Sequence, residues 1–361
     1  MRTKQSIPAL KPYQPGKSID EVKKEHNLSR IVKLASNENV YGPSPHVIEK
    51  LGNFAQEIQL YPDGYAEKLR ERVSEYLQVD MDQLIFGAGS DEIVQMICRT
   101  YLEAGTNTVM AHPTFPQYKH HATVEGAEVR EVPVKDGHHQ LEKMLQYIDE
   151  NTRVVWLCTP NNPTGSYINE QELNHFVQEC PKHVLIVIDE AYYEFVMSGD
   201  YPETIPYLKD HENMIILRTF SKAYGLAGYR IGYGVGSTDI IRYLNTIRGP
   251  FNVSSIGQYA ALVALEDQDY IEQIRQLNAK TRKQVERFCK ENDLAYDQSE
   301  TNFLLIHLPK SGLEVSEQLL SNGFIVRPGE LLGVEQSMRV TIGKEEDMKE
   351  FTSVLQNCLQ N

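Results

Sequence analysis

The 361-residue chain is poor in cysteine, in long apolar runs and in positive charge, and each shortage excludes something. Its five cysteines, Cys98, Cys158, Cys180, Cys289 and Cys358, are widely spaced and contain no CxxC pair. That argues against a disulfide framework or a metal centre and predicts reduced, buried thiols. The longest aliphatic stretches, such as Val184-Leu185-Ile186-Val187-Ile188, have the length of a strand and fall far short of a bilayer span. Met1 to Leu10 is polar and interrupted by Pro8, without the apolar core of a secretory signal, so a cytoplasmic address is expected. The 36 Lys plus Arg stand against 50 Asp plus Glu, a formal net charge of −14, which makes a nucleic-acid phosphate backbone a poor partner. Apolar residues at 41% and charged residues at 24% describe a globular chain with a substantial core, and the length favours two lobes sharing one site.

From residue 84 to 235, short β-rich runs alternate with segments at helical spacing, the pattern of βα units on a largely parallel sheet. Leu84–Phe86, Arg153–Cys158, Val184–Ile188 and Met214–Leu217 are expected strands. Ile93, Ile97 and Tyr101 give one face of a helix opening at Ser90 and Asp91, and Asn169 with Glu172 makes a capping box ahead of Leu173, Phe176 and Val177. After Pro250 the texture changes: Ser254 to about Asn292 reads as one or two long helices leaving the first lobe. Strands near Asn302–Leu308, Phe324–Arg327 and Met338–Ile342 and a stripe of Met348, Phe351, Leu355 and Cys358 indicate a smaller α+β lobe. The expected division is therefore an arm over 1–30, a large lobe over 31–250 and a small lobe over 251–361, linked by a long helix.

Several motifs mislead. Pro15-Gly16-Lys17-Ser18 ends like a phosphate-binding loop, but its first glycine is replaced by Lys11. Gly232-Tyr233-Gly234-Val235-Gly236 hints at a dinucleotide turn, yet Ser237 stands where the last glycine belongs and no helix is expected to start there. The pairs His120-His121 and His138-His139 lack metal-ligand spacing, so surface histidines and no metal are expected.

Three strand ends remain: Thr159-Pro160-Asn161-Asn162-Pro163-Thr164-Gly165, Asp189-Glu190-Ala191-Tyr192 and Thr219-Phe220-Ser221-Lys222. In an open parallel sheet ligands bind at the carboxyl ends of strands, so these turns should share one crevice. Singly, the first is also an ordinary turn, Asp189 also a helix cap and Lys222 also a solvated lysine. In this order, with Arg230 eight residues after Lys222, they resemble the fold-type I pyridoxal-phosphate aminotransferases. Leu10-Lys11-Pro12-Tyr13-Gln14, Leu34-Ala35-Ser36-Asn37-Glu38-Asn39, Tyr61-Pro62-Asp63-Gly64, Gly87-Ala88-Gly89-Ser90-Asp91-Glu92, Arg218–Ala223 and Met338–Gly343 extend the resemblance over residues 10 to 343, toward the branch of that family acting on histidinol phosphate.

The resemblance implies an α/β fold with a mostly parallel seven-stranded sheet between helices, plus the smaller α+β lobe. It implies pyridoxal 5′-phosphate held covalently by Lys222 as a Schiff base, Asp189 facing the pyridine nitrogen, Tyr192 and Asn162 on the phenolic oxygen, and Phe115 stacked on the ring. Gly89, Ser90 and Asp91 at a helix start, with Thr219, Ser221 and Arg230, would cup the phosphate, Asp91 capping or orienting the helix. Tyr61 would reach the phosphate of a partner subunit in a homodimer. Arg327 and Arg339 would bind substrate anions, with Tyr13 and Asn37 closing the pocket. The implied substrates are histidinol phosphate and imidazole-acetol phosphate with glutamate and 2-oxoglutarate, the alternative being aromatic amino acids. Val40 stands where many relatives have proline, which bears on the stiffness of that loop. A cofactor-binding DNA regulator is disfavoured, because about 30 residues before Leu34 are too few for a helix-turn-helix module.

Overall fold

The computed structural model of the chain describes residues 2–4, 6–10, 19–26, 28–52, 54 and 59–360. Its strands are β1 (Val32–Lys33), β2 (Leu84–Gly87), β3 (Asn107–His112), β4 (Glu128–Pro133), β5 (Thr152–Cys158), β6 (Leu185–Asp189), β7 (Met214–Thr219), β8 (Gly232–Gly236), β9 (Phe303–His307), β10 (Phe324–Ile325), β11 (Arg327–Pro328) and β12 (Ser337–Thr341). Seven form the main sheet in the order β2-β8-β7-β6-β5-β3-β4, all parallel except β8, which is antiparallel to both neighbours. The aliphatic runs make this possible because both faces are covered. Ile186, Ile188, Met214 and Ile216 enter one core, Leu185, Val187, Ile215 and Leu217 the other.

Helices Ser90–Tyr101, Pro116–Glu125 and Thr238–Ile247 cover the second face through Ile93, Ile97, Tyr118, Ile241 and Leu244. Glu67–Leu77, Glu170–Glu179 and Ser255–Ala264 cover the first through Leu69, Val73, Leu173, Phe176, Ala260 and Ala261. The expected capping box starts Glu170–Glu179: Glu172 N–H donates to Asn169 Oδ1 at 2.9 Å and Asn169 N–H to Glu172 Oε2 at 3.0 Å.

The remaining residues pack separately. Antiparallel β11-β12-β9 and helices Gly312–Ser321 and Glu345–Gln360 enclose Leu304, Ile306, Val315, Phe351 and Leu355. Two expected boundaries shift. The unit over 31–250 does not start cleanly, since β1 pairs with β10 and Leu34 lies in the C-terminal core. Nor does the first core stop at 250: it takes in Ser255–Ala264 and continues to Ile271 and Ile274 of helix Gln268–Glu291, whose Val285 and Cys289 join the other core. Apolar residues on both halves of that 24-residue helix let it serve two cores at once.

The described part of the 1–30 arm includes helix Ile19–His26, with Val22 buried against Ala35 and Ile325. The glycine run dismissed as a dinucleotide turn is β8, and helix Thr238–Ile247 does follow Ser237. Its spacing serves close packing: a Cβ on Gly232 would come within 2.5 Å of Ser90 N and 3.0 Å of Arg218 O. Among the described residues no helix is long and apolar enough to cross a membrane.

Candidate active site

The ends of β2, β5, β6 and β7, the start of helix Pro116–Glu125 and the inner face of the C-terminal sheet surround a cavity of about 510 Å³. It is lined by Asn37, Gly89, Ser90, Asp91, Phe115, Asn162, Asp189, Tyr192, Thr219, Ser221, Lys222, Arg230, Arg327 and Arg339. Of the expected site residues that are described, only Tyr61 is not there. Tyr61 stands outside this cavity, 80% exposed and stacked on Phe251 at 4.6 Å. Tyr13 lies outside the described residues, as does the Pro15–Ser18 run.

Period-two alternation sorts the charges at the strand ends. Asp189 and Thr219 follow Ile188 and Arg218 and face the cavity; Glu190 and Arg218 face away. Arg218 Nε donates to Glu190 Oε2 at 2.8 Å, with both side chains buried, and its guanidinium lies 3.6 Å over the Tyr193 ring. That pair locks β6 to β7 from behind.

Asp189, 3% exposed, is held by neutral donors: Tyr118 Oη–H to Oδ2 at 2.6 Å and Ala191 N–H to Oδ1 at 3.1 Å. Burial pushes its carboxyl up to about 6, against the pull of those bonds. Lys222 sits in the turn after β7 and donates from Nζ to Ser36 O at 3.2 Å. Enclosure in the cavity, then the charge of Arg339, bring its ammonium down to about 8. The turn itself is pinned from the N-terminal side, where Asn39 Nδ2 donates to Ala223 O at 2.8 Å. Gly225, at φ +71°, lies so close to Gly42 and Pro43 that a Cβ would fall 2.5 Å from Gly42 C.

The polar wall is a relay with a definite direction. Arg339 Nη1 donates to Asn162 Oδ1 at 2.6 Å and Nη2 to Ala35 O at 2.7 Å, and its guanidinium lies 5.3 Å from the Phe303 ring centre. Asn37, with φ +56°, donates from Nδ2 to Tyr192 Oη at 3.0 Å and accepts at Oδ1 from Thr341 Oγ1–H at 3.1 Å. Burial raises the Tyr192 phenol to about 12, keeping its proton in place. Arg327 and Arg339 are directly opposite on β11 and β12. Like charges facing across antiparallel strands repel, so the cavity presents an arrangement that an anion relieves.

At the far end Gly89, φ +82°, precedes helix Ser90–Tyr101. Arg230 Nη2 donates to Ala88 O and Nη1 to Ala227 O, each at 3.1 Å, and a Cβ on Gly89 would meet Nη2 at 2.8 Å. Asp91 does not cap this helix. Glu92 Oε2 takes the Ala88 N–H at 2.6 Å instead, while Asp91 Oδ1 is buried with no hydrogen-bond partner among the described residues, 4.0 Å from His121 Nε2. His139, expected at the surface, has a buried Nε2 and a ring pulled down to about 4 by burial. Among the described residues no group of three metal-ligating side chains is suited to an ion.

Sequence reasoning missed Tyr118, Ser36, Ala35 and Thr341, and the cavity-lining Leu331 and Leu332. Tyr118 lies in the first turn of helix Pro116–Glu125, three residues after the extended N-cap Phe115. Ser36 and Ala35 act through backbone oxygens, which side-chain chemistry does not reveal.

The model of the aminotransferase class I and II family matches residues 29–355. The chain is 53% identical to the histidinol-phosphate aminotransferase of Geobacillus sp. (strain WCH70), covering 100% of this chain and 99% of that one. It is 54% identical to the same-named protein of Geobacillus thermodenitrificans, over 98% and 97%. Its structure is similar to that of histidinol-phosphate aminotransferase from Sinorhizobium meliloti in complex with pyridoxal-5′-phosphate, with TM-score 0.91, 29% identity and coverage of 99% and 98%. Thermus thermophilus aspartate aminotransferase shares the fold at TM-score 0.86 and 21% identity, covering 99% of this chain and 100% of that one.

Proposed function

The chain belongs to the class I and II aminotransferases, among the histidinol-phosphate aminotransferases, and from that premise we propose that its cavity binds pyridoxal 5′-phosphate and interconverts L-histidinol phosphate plus 2-oxoglutarate with imidazole-acetol phosphate plus L-glutamate, in histidine biosynthesis. One observation carries the reading: a lysine whose ammonium is brought down to about 8 shares a cavity with a buried carboxylate whose own partners are neutral. A buried charge calls for a cation, and a protonated ring nitrogen is one.

Bound there, pyridoxal phosphate supplies an electrophilic aldehyde and a ring that draws electron density from the substrate carbon bearing nitrogen. Lys222 would hold it through Nζ, the same atom that would take and return the proton of that carbon. Asp189 would keep the ring nitrogen protonated. Because Asn162 Oδ1 and Tyr192 Oη both already accept, from Arg339 and Asn37, Asn162 Nδ2 and the Tyr192 proton are left to donate to the ring's phenolic oxygen. Phe115 covers a ring face. The bare N-terminus at Gly89, Ser90 and Asp91, with Thr219, Ser221 and Arg230, receives the phosphate, and the glycine at 232 lets that terminus approach. Arg327 and Arg339 bind the substrate's anionic group, and Asn37 closes over it.

The exposed stack of Tyr61 on Phe251 supports a homodimer in which Tyr61 reaches the partner's phosphate. Five buried free cysteines support a reducing, cytoplasmic setting. The functional division between lobes falls inside helix Gln268–Glu291, which both cores share.

Phe115, Leu331 and Leu332 give the cavity an apolar wall that accepts a phenyl as well as an imidazole ring, which favours aromatic amino acids as a second activity. The reconstituted protein should lose its visible cofactor band on adding glutamate. Its kcat/KM should be at least about tenfold higher for histidinol phosphate than for phenylalanine. Parity, or the reverse order, makes the aromatic activity the primary one.

A further inference from the structure

Tyr118 is fully buried on helix Pro116–Glu125, and its ring is clamped on two sides. Trp156 lies parallel to it at 4.6 Å and 12°, itself fixed by an Nε1–H bond of 2.8 Å to Thr108 Oγ1. Phe115 meets it edge-on at 5.4 Å. A ring so confined has one position for its oxygen, which is 2.6 Å from Asp189 Oδ2.

We propose that Tyr118 is a positioning residue for the reaction: its hydroxyl orients Asp189 toward the cofactor's ring nitrogen and holds that carboxylate ionised. This rests on the reading of Asp189 given above. A carboxylate has about four acceptor positions on its two oxygens, and Tyr118 and Ala191 fill one on each while leaving the others to the cavity. Both bonds favour the ionised form, and burial opposes it. Removal of the hydroxyl strands a buried oxygen and shifts the balance toward the neutral acid. Tyr118 stays a donor throughout the working range, because burial and the adjacent negative charge hold its own proton far more tightly than usual.

The other titratable groups around Asp189 do not duplicate this role. Cys158, from the end of β5, is pushed up to about 12 by burial and the Tyr192 phenol to about 12, so both stay neutral. Asp91 and Glu190 destabilise the Asp189 charge, and Lys222 is on the cavity side, where the cofactor engages it.

The test is titration of the full-length apoprotein with pyridoxal 5′-phosphate between about pH 5 and about pH 8.5, read by the visible band and by protein fluorescence. Wild-type affinity should decline as pH falls through about 6, where Asp189 takes up its proton. In Tyr118→Phe the decline should move up by about one pH unit, so that the dissociation constant rises about twofold at pH 7 and about ninefold at pH 5, while the apoprotein still unfolds cooperatively. Asp189→Asn should bind weakly without that pH dependence, and adding Tyr118→Phe to it should change nothing further. A Tyr118→Phe curve that overlays wild type, or an equal loss in the Asp189→Asn background, overturns the proposal and leaves Tyr118 a packing residue. Wild-type affinity in Asp189→Asn overturns the reading of Asp189 itself. If Asp189→Asn binds too weakly to measure, the displacement of the Tyr118→Phe curve decides alone.

Discussion

Lys222 acquires its reactivity from neighbours distant in the chain. Enclosure and the charge of Arg339 lower its ammonium to about 8, so the neutral amine, the form that attacks an aldehyde, grows in as pH rises through that value and not near 10. The rate of cofactor capture by apoprotein, followed by stopped-flow absorbance, should therefore rise with a midpoint near 8. In Arg339→Gln that midpoint should move upward and the KM for glutamate increase roughly 10- to 100-fold, the equivalent of one charge-assisted hydrogen bond. That Lys222 and Asp189 share one crevice was legible in advance from their places at strand ends, and their proposed roles came from the family resemblance of the motifs' order. Tyr118 and Ser36 were not legible. They reach Asp189 and Lys222 across 71 and 186 positions of sequence, and any apolar-bodied residue or any backbone carbonyl looks the same from the sequence.

At the scale of elements, β8 shows how a turn-like sequence makes a buried strand. Gly-Tyr-Gly-Val-Gly puts its two large side chains into one core and its glycines against close neighbours. The neighbours differ in kind, and this separates two substitutions. Gly232→Ala drives a Cβ to within 2.5 Å of the Ser90 backbone nitrogen, which cannot yield without moving the helix start that receives phosphate. Gly234→Ala meets only the side-chain ends of Ile85, Leu217 and Ile215 at 3.2 to 3.3 Å. Thermal and denaturant unfolding should show Gly232→Ala about 3 kcal/mol less stable and defective in cofactor affinity, against about 1 kcal/mol and normal affinity for Gly234→Ala. β6 and β7 were readable because unbroken aliphatic runs suit a strand buried on both faces. β4, at the sheet edge, was not, since Glu128–Pro133 carries charges that solvent tolerates there. β3 begins with Asn107 and Thr108, whose side chains are satisfied by Asp149 and Val154 only after folding.

For the molecule as a whole, the proposed dimer predicts complementation between two defective chains. Lys222→Ala and Tyr61→Ala should each be severely impaired alone. Refolded together in equal amounts, half of the dimers are mixed and each has one intact site, which should restore roughly one quarter of wild-type turnover. If Tyr61 serves its own subunit, the mixture stays inactive. The net charge of −14 acquires its meaning at this scale: Arg230, Arg327 and Arg339 concentrate positive charge inside a cavity while the exterior repels.

The joining of β1 to β10 also bears on how the enzyme is made. Leu34 N–H bonds to Ile325 O at 2.7 Å and Thr341 N–H to Leu34 O at 2.8 Å, so the backbone that offers Ala35 and Ser36 to Arg339 and Lys222 is set by β10 and β12, which follow the main sheet in the chain. A nascent chain can assemble most of the seven-stranded sheet before β10 and β12 emerge, so Lys222 gains its full surroundings only after the C-terminal sheet has formed.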